Sequence, residues 1–249
     1  MTNKFNKDKW ITIGILPLMW LLYFAFEIIT GRVDNFYTLI MNLLLTILFA
    51  ITGWIIYIVS IKYPNGFNNK IILLIFSVLM LIDQGLKLII KLFFFERYFE
   101  LIPNFLSFDP IINTEGSWLN ARFGFGVGFT TLIIFNAVSV LLFIEIYRYY
   151  SYLKNKSFWA DMTFLFVTSG ALCSLIDKVF YGGSLDFIGI SNLFIADVKD
   201  MYINLGILFF IMLIYLGGYF KEEDSSTLKD DLNSIKKFLK FVKKDILRK

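Results

Sequence analysis

The chain has no histidine and one cysteine, Cys173, in 249 residues. Without histidine there is no Ser-His-Asp or Cys-His relay and no His-ligated zinc site. A lone thiol makes neither an internal disulfide nor a paired-thiol metal motif. Charge is also sparse: charged residues are 18% of the chain and the formal net charge is +4, so nothing resembles a basic nucleic-acid surface. What is left for catalysis is carboxylates, Lys, Tyr, Ser/Thr and Cys173. No small-x-small cleavage pattern follows the first apolar run around Ile28 to Arg32, so that run is read as a retained span rather than a signal peptide.

The chain is instead rich in apolar side chains. They make up 57% of the residues, and the mean hydropathy is +0.68. They cluster in runs long enough to cross a hydrocarbon layer, which takes about 20 residues in a helix. Six spans are predicted: Trp10 to Thr30 (with Pro17 placed to kink it), Tyr37 to Ile61, Ile71 to Ile90, Phe129 to Tyr147, Phe158 to Ile176, and Met201 to Phe220. A turn with Pro64, Asn65 and Gly66 separates the second and third. The fold class expected is an all-α membrane protein with about six transmembrane helices. A small extracytoplasmic β or irregular platform is expected between the third and fourth, where Pro103, Pro110 and alternating stretches such as Phe105 to Phe108 interrupt an aromatic segment.

An even number of spans puts both termini on one side. That side collects Lys4, Lys7, Lys9, Lys62, Lys70, Arg148, Lys154, Lys156 and the lysines of the tail, against Arg32, Lys91, Arg97, Arg122, Lys178 and Lys199 opposite. The positive-inside rule then expects cytoplasmic termini. In the tail, Leu232, Ile235, Phe238, Leu239 and Val242 recur at helical spacing. The tail reads either as a helix lying on anionic lipid or as a solvated helix.

The chemistry gathers between the fifth and sixth spans, where Asp177, Asp186, Asp197 and Asp200 fall. Ionised carboxylates at the edge of hydrocarbon are expensive and usually pair, face a cavity or function, although Asp is also common in ordinary loops. The surrounding residues discriminate. Gly170-Ala171-Leu172-Cys173-Ser174-Leu175-Ile176-Asp177-Lys178 resembles the Gly-Gly-Ala-x-Gly-Asn-Leu-Ile-Asp-Arg segment of lipoprotein signal peptidases (signal peptidase II). Gly182 and Asp186-Phe187 follow at that family's spacing. Upstream, Asp83-Gln84-Gly85-Leu86-Lys87 resembles its Asp-Gln-x-x-Lys, and Asn113 followed by Gly116 resembles its Asn-x-Gly strand with one residue inserted. Two registers compete for the family's Asn-x-Ala-Asp-x-x-Ile-x-x-Gly. Asp197 keeps the preceding Ala196, whereas Asp200 is followed by Ile203 and Gly206 at the right offsets and puts Asp197 in place of the Asn. The second register is preferred.

The resemblance spans about Ile71 to Phe220. It implies a division into a two-helix extension (1–69), a four-helix core (70–220) and a basic cytoplasmic tail (221–249). It implies a multi-pass protein of the bacterial cell membrane with its site near the outer leaflet, acting as an aspartyl endopeptidase without metal or cofactor. The substrates implied are diacylglyceryl-modified prolipoproteins, cut before the lipidated Cys; membrane phospholipids are the other partners, and nucleic acid is none. Asp186 and Asp200 are the implied catalytic pair. Asn113 is expected to line the substrate groove or be an ordinary strand-end Asn, and Ser174 to donate a hydrogen bond where the family has Asn. Asp177 and Lys178 are expected to be an ion-paired or hydrogen-bonded helix end. Asp83 and Lys87 are expected to do similar work or bind lipid headgroups. Asp197 adds a third carboxylate, which raises its neighbours' pKa values unless Lys199 or Lys178 compensates. The alternative reading is a catalytically inactive homologue that binds lipopeptide or lipid. A transporter is disfavoured because no internal repeat is evident.

The remaining candidates have plainer expectations. Cys173 is expected to be a packed small residue. Glu27 and Glu145 are expected to snorkel or pair locally, and Phe93 to Phe95 to anchor the membrane interface.

Overall fold

The computed structural model describes residues 2–115, 118–124, 126–153, 156–218 and 228–247. Gly116, Lys154 and Phe220, used above, lie outside the described residues. Helices α1 (Thr2–Ile29), α2 (Phe36–Lys62) and α3 (Asn69–Ile89) come first. Strands β1 (Phe99–Ile102) and β2 (Leu106–Asn113), a short helix α4 (Trp118–Phe123), α5 (Phe129–Tyr152) and α6 (Phe158–Ile176) follow. The chain then forms β3 (Ser184–Ile190), β4 (Phe194–Ala196), α7 (Val198–Leu216) and the tail helix α8 (Leu228–Ile246). Single π-helical turns, Ile90–Phe94 and Asp177–Tyr181, extend α3 and α6.

Six helices are long and apolar enough to cross a membrane, in the number and order expected. Polar caps start several of them. The side chains of Asn35, Asn68 and Ser157 accept from the backbone N–H groups of Thr38, Ile71 and Ala160, satisfying donors that the helix itself cannot. Helix α1 runs unbroken through Pro17. Outward-facing residues such as Leu73, Leu74 and Leu81 on α3 and Phe135 and Leu141 on α5 stay uncovered by protein, as side chains solvated by lipid tails should.

The centre is α6 against α7. A Cβ on Gly170 would lie 2.8 Å from Ile203 Cγ1, and one on Gly206 would lie 2.7 Å from Val167 Cγ2. Small residues thus let the two helices approach closely, the usual device where lipid removes a hydrophobic drive for helix association. Leu165, Leu208, Phe209 and Met212 fill the space around this contact.

One end of the bundle carries an antiparallel sheet of order β1-β2-β3-β4. Pairing of β2 with β3 sets Ile111 opposite Asp186 and Asn113 opposite Ser184, with an irregularity between Phe108 and Ile111. Pro110 sits in that irregularity, where its missing N–H breaks no ladder bond. The expected platform between the third and fourth spans is therefore half of the sheet. The other half, β3 and β4, comes from the segment between the fifth and sixth spans, where no strand was expected. Its strand character was hidden because β3 is buried on both faces from Ser184 to Phe187, which erases the polar–apolar alternation.

Candidate active site

The sheet and three helix ends converge on one carboxylate–ammonium cluster. Strand β3 supplies Ser184 and Asp186, and β2 supplies Asn113 beside them. Helix α7 begins with a capping box: Asp197 accepts from the Asp200 N–H and Asp200 accepts from the Asp197 N–H, each at 3.2 Å. This places two carboxylates one turn apart at the same helix mouth, where the N-terminal dipole favours negative charge. Carboxylate oxygens of Asp186, Asp197 and Asp200 lie within 4.8 Å of one another.

Their environments differ. Asp186 is nearly buried, with Oδ2 accepting from Asn113 Nδ2 at 2.9 Å and Oδ1 accepting from the Ser184 hydroxyl. Asp197 is fully buried; its Oδ2 lies 2.6 Å from Lys87 Nζ and touches Lys199 Nζ. Asp200 remains partly exposed. Lys87 also reaches Asp177 at 2.6 Å and Asp83 at 3.0 Å. Lys199 donates to Ser184 and lies 3.4 Å from Asp177 and 3.6 Å from Asp186. Three carboxylates at this spacing can in general hold a cation; here the Lys199 ammonium supplies positive charge against them.

Burial pushes the Asp186 carboxyl above the usual carboxylate range, with the Lys199 ammonium and the Ser184 and Asn113 hydrogen bonds opposing and Asp197 reinforcing. For Asp197 burial also acts upward, yet Lys199 and Lys87, by charge and by hydrogen bonding, together outweigh it and hold the group below that range. Asp197 is thus an ionised counter-charge. The compensation that the sequence demanded of Lys199 or Lys178 comes from Lys199, with Lys87 as an unforeseen second partner.

The structure brings Asp83, Lys87, Asn113, Asp177, Asp186, Asp197 and Asp200 into this one cluster. Asp83 and Lys87 are fully buried, so the headgroup-binding option for them is closed: neither ammonium nor carboxylate meets the surface. Ser174 and Lys178 form the flank, where Lys178 Nζ donates to Ser174 Oγ at 2.6 Å and Asn136 Nδ2 donates to the same oxygen at 3.0 Å. Ser174 therefore acts there as an acceptor, since an ammonium offers only donors. Sequence reasoning missed Ser184, Asn136 and the role of Gln84, which donates to Asp83 at 2.9 Å and Asp177 at 3.2 Å. Only Gln84 carried a signal, its place between Asp83 and Lys87. Cys173 is fully buried against Met80, as expected. Glu27 pairs locally, with Arg32 at 3.2 Å, but does not snorkel: it is fully buried and also reaches the distant Arg122 at 3.7 Å.

A family model described as signal peptidase (SPase) II matches residues 75–216, more than half of the chain and all of the cluster. The chain belongs to the signal peptidase II family. It is similar to the lipoprotein signal peptidase of Staphylococcus haemolyticus, 30% identical over 158 residues that cover 60% of this chain and 94% of the relative. The lipoprotein signal peptidase of Clostridium novyi is 34% identical over 89 residues, 36% of this chain and 55% of that one. A solved bacterial membrane enzyme aligns with a TM-score of 0.49 at 20% identity, over 66% of this chain and 98% of its own. As a signal peptidase II the chain is a protease of the cell membrane with several spans. Helices α1, α2 and α8 lie outside the matched residues.

Proposed function

We propose that this signal peptidase II is an aspartic endopeptidase that removes signal peptides from diacylglyceryl-modified prolipoproteins, cutting before the lipidated Cys, with Asp186 and Asp200 as its catalytic pair. The observation that carries the assignment is the inequality among three adjacent carboxylates. Asp197 is fully buried and neutralised by Lys87 and Lys199, whereas Asp200 is partly exposed and within 4.8 Å of Asp186. Two carboxylates at that range cannot both ionise readily, so they share one proton and titrate as a unit.

The chemistry follows from that shared proton. The ionised member takes a proton from a water, whose oxygen attacks the scissile carbonyl carbon. The protonated member gives its proton to the carbonyl oxygen, producing a neutral tetrahedral diol. As the C–N bond breaks, the first member returns its proton to the leaving amine and the second recovers one from the diol hydroxyl, which restores the dyad. Asn113 and Ser184 hold the two oxygens of Asp186 in a fixed plane, so little reorganisation is needed. Asp83, Asp177 and Lys87 act behind Asp197, keeping its charge matched; Lys178 and Ser174 support the flank.

The Lys and Arg distribution supports cytoplasmic termini, which puts the sheet and dyad at the outer leaflet. Acyl chains of a substrate can then stay in lipid while the peptide bond meets the carboxylates. On the inner side, α8 exposes Leu232, Ile235 and Leu239 beside Lys236, Lys240 and Lys243, a face suited to anionic phospholipid. The test is reconstitution with a diacylglyceryl-modified precursor peptide. Cleavage before the lipidated Cys is expected for the wild type and lost in Asp186→Asn and Asp200→Asn. Binding without cleavage would return the inactive lipopeptide-binding alternative.

A further inference from the structure

Helices α1 and α2 precede the matched residues, yet their contacts run to the turn between the two halves of the dyad. Arg32, between α1 and α2, donates through Nη2 to the backbone oxygens of Asn192 at 2.8 Å and Leu193 at 2.6 Å, the β3–β4 turn. Its Nη1 donates to Glu27 Oε2 at 3.2 Å. Asn42 of α2, fully buried, donates to Ser191 Oγ at 3.0 Å in the same turn. Ser191 holds φ at +49°, a left-handed conformation that a non-glycine residue adopts only when its surroundings impose it. The rings of Trp20 and Tyr23 lie 6.2 and 5.4 Å from that of Phe194, the first residue of β4.

The hairpin needs such support. Strand β4 is an edge strand of three residues, paired only through Ile188–Ala196, Gly189–Ile195 and Ile190–Phe194. So short an edge is weakly held by its own ladder. Asp197 follows it directly, and through the capping box fixes Asp200. Any drift of the turn therefore moves Asp200 relative to Asp186. An arginine suits the task, since one planar guanidinium spans two carbonyls and a carboxylate. A fully buried asparagine within an apolar span likewise needs a specific partner.

We propose that α1 and α2 form an intramolecular brace for the catalytic hairpin, with Arg32 and Asn42 as positioning residues that hold the β3–β4 turn and so set the separation of Asp186 and Asp200. The effect on cleavage rests on the dyad assignment; the effect on the turn does not. The brace gives the extension a part in the reaction rather than in anchoring alone.

The full chain in lipid nanodiscs is compared as wild type, Arg32→Ala, Arg32→Lys, Asn42→Leu and, as a lipid-facing control, Leu44→Ala, whose side chain is half exposed on α2. Two readouts are taken: hydrogen exchange of the 188–196 backbone, and kcat and KM on a diacylglyceryl-modified precursor peptide. Arg32→Ala and Asn42→Leu are expected to speed exchange in the turn by about tenfold or more. They should lower kcat by about tenfold, with KM within about twofold of wild type. Arg32→Lys should fall between, and Leu44→Ala should match wild type in both. Unchanged exchange in Arg32→Ala and Asn42→Leu overturns the brace, whatever happens to cleavage. Faster exchange with unaltered kcat overturns the positioning role. If Arg32→Ala does not fold, Arg32→Lys and Asn42→Leu decide by the same criteria. If the wild type cuts nothing, exchange alone judges the brace and the failure belongs to the peptidase reading.

Discussion

Five carboxylates and three ammonium groups meet where the sheet joins the helix ends, and their individual partners decide which of them can react. Asp197 faces Lys87 and Lys199, so it is a counter-ion for buried cations. Replacing it with Asn leaves two ammonium groups without that carboxylate, a loss of about 3–5 kcal/mol for a broken buried pair. Thermal unfolding of Asp197→Asn should show a lower midpoint, while the folded fraction still cleaves. Asp186→Asn and Asp200→Asn should do the reverse, keeping the fold and losing about a hundred- to ten-thousandfold in kcat. Cleavage by Asp200→Asn together with a dead but folded Asp197→Asn would transfer the second catalytic role to Asp197.

Lys199 gives a separate prediction in pH. Around Asp186 stand Lys199, 3.6 Å away, and the carboxylates of Asp197 and Asp200, within 4.8 Å, with Asp177 and Lys87 linked to Lys199 behind them. Burial raises the Asp186 pKa and Lys199 opposes the rise. Removing the ammonium in Lys199→Met makes the ionised carboxylate harder to form. The acidic limb of the kcat/KM profile should then move to higher pH, and Lys199→Arg should keep it near the wild-type position. An acidic limb that stays put or moves downward in Lys199→Met would show that this ammonium does not tune the dyad.

At the scale of elements, the α6–α7 contact should be the least tolerant in the bundle. A side chain at Gly206 must displace Val167, whose Cγ2 a Cβ would approach to 2.7 Å. Gly206→Val should destabilise by about 1–3 kcal/mol through overpacking. Gly85 lies on α3 with nothing within 4 Å of a built Cβ. Gly85→Ala should be neutral or stabilising by up to about 1 kcal/mol. Unfolding midpoints of the two variants in one detergent test the contrast. Equal midpoints would mean that α6 and α7 are not in close contact.

The six spans were legible because a run of 20 apolar residues has one physical use. Strand β3 was not, because burial on both faces from Ser184 to Phe187 leaves no alternation, nor was β4, whose three residues are too few to show a period. At the site, the resemblance to signal peptidase II segments singled out Asp177 and Asp186, but no pattern distinguishes Ser184 from any other serine until Asp186 and Lys199 are seen on either side of it. Residues tied by the chain's return were equally hidden: Arg32 meets its carbonyl partner 160 residues away.

For the whole molecule, the contacts settle which loops share an end, and the proposed cytoplasmic placement of the termini rests on the charge distribution. Arg32 on the β3–β4 turn puts the α1–α2 connection beside the sheet. At the other end Tyr149 packs against Phe238 and Phe241, and Arg148 pairs with Asp245, so α8 docks on the far end of α5. The lone native thiol is fully buried, which makes the chain a silent background for introduced cysteines. With cytoplasmic termini, Asp34→Cys should react with a membrane-impermeant maleimide on intact spheroplasts, and Lys237→Cys only after permeabilisation. The opposite labelling would invert the topology and put the dyad on the cytoplasmic side, where the outer-leaflet route for substrate fails. Labelling of both sites in intact cells would mean that α8 and the sheet share one side, contradicting the odd number of spans, five, between Asp34 and Lys237.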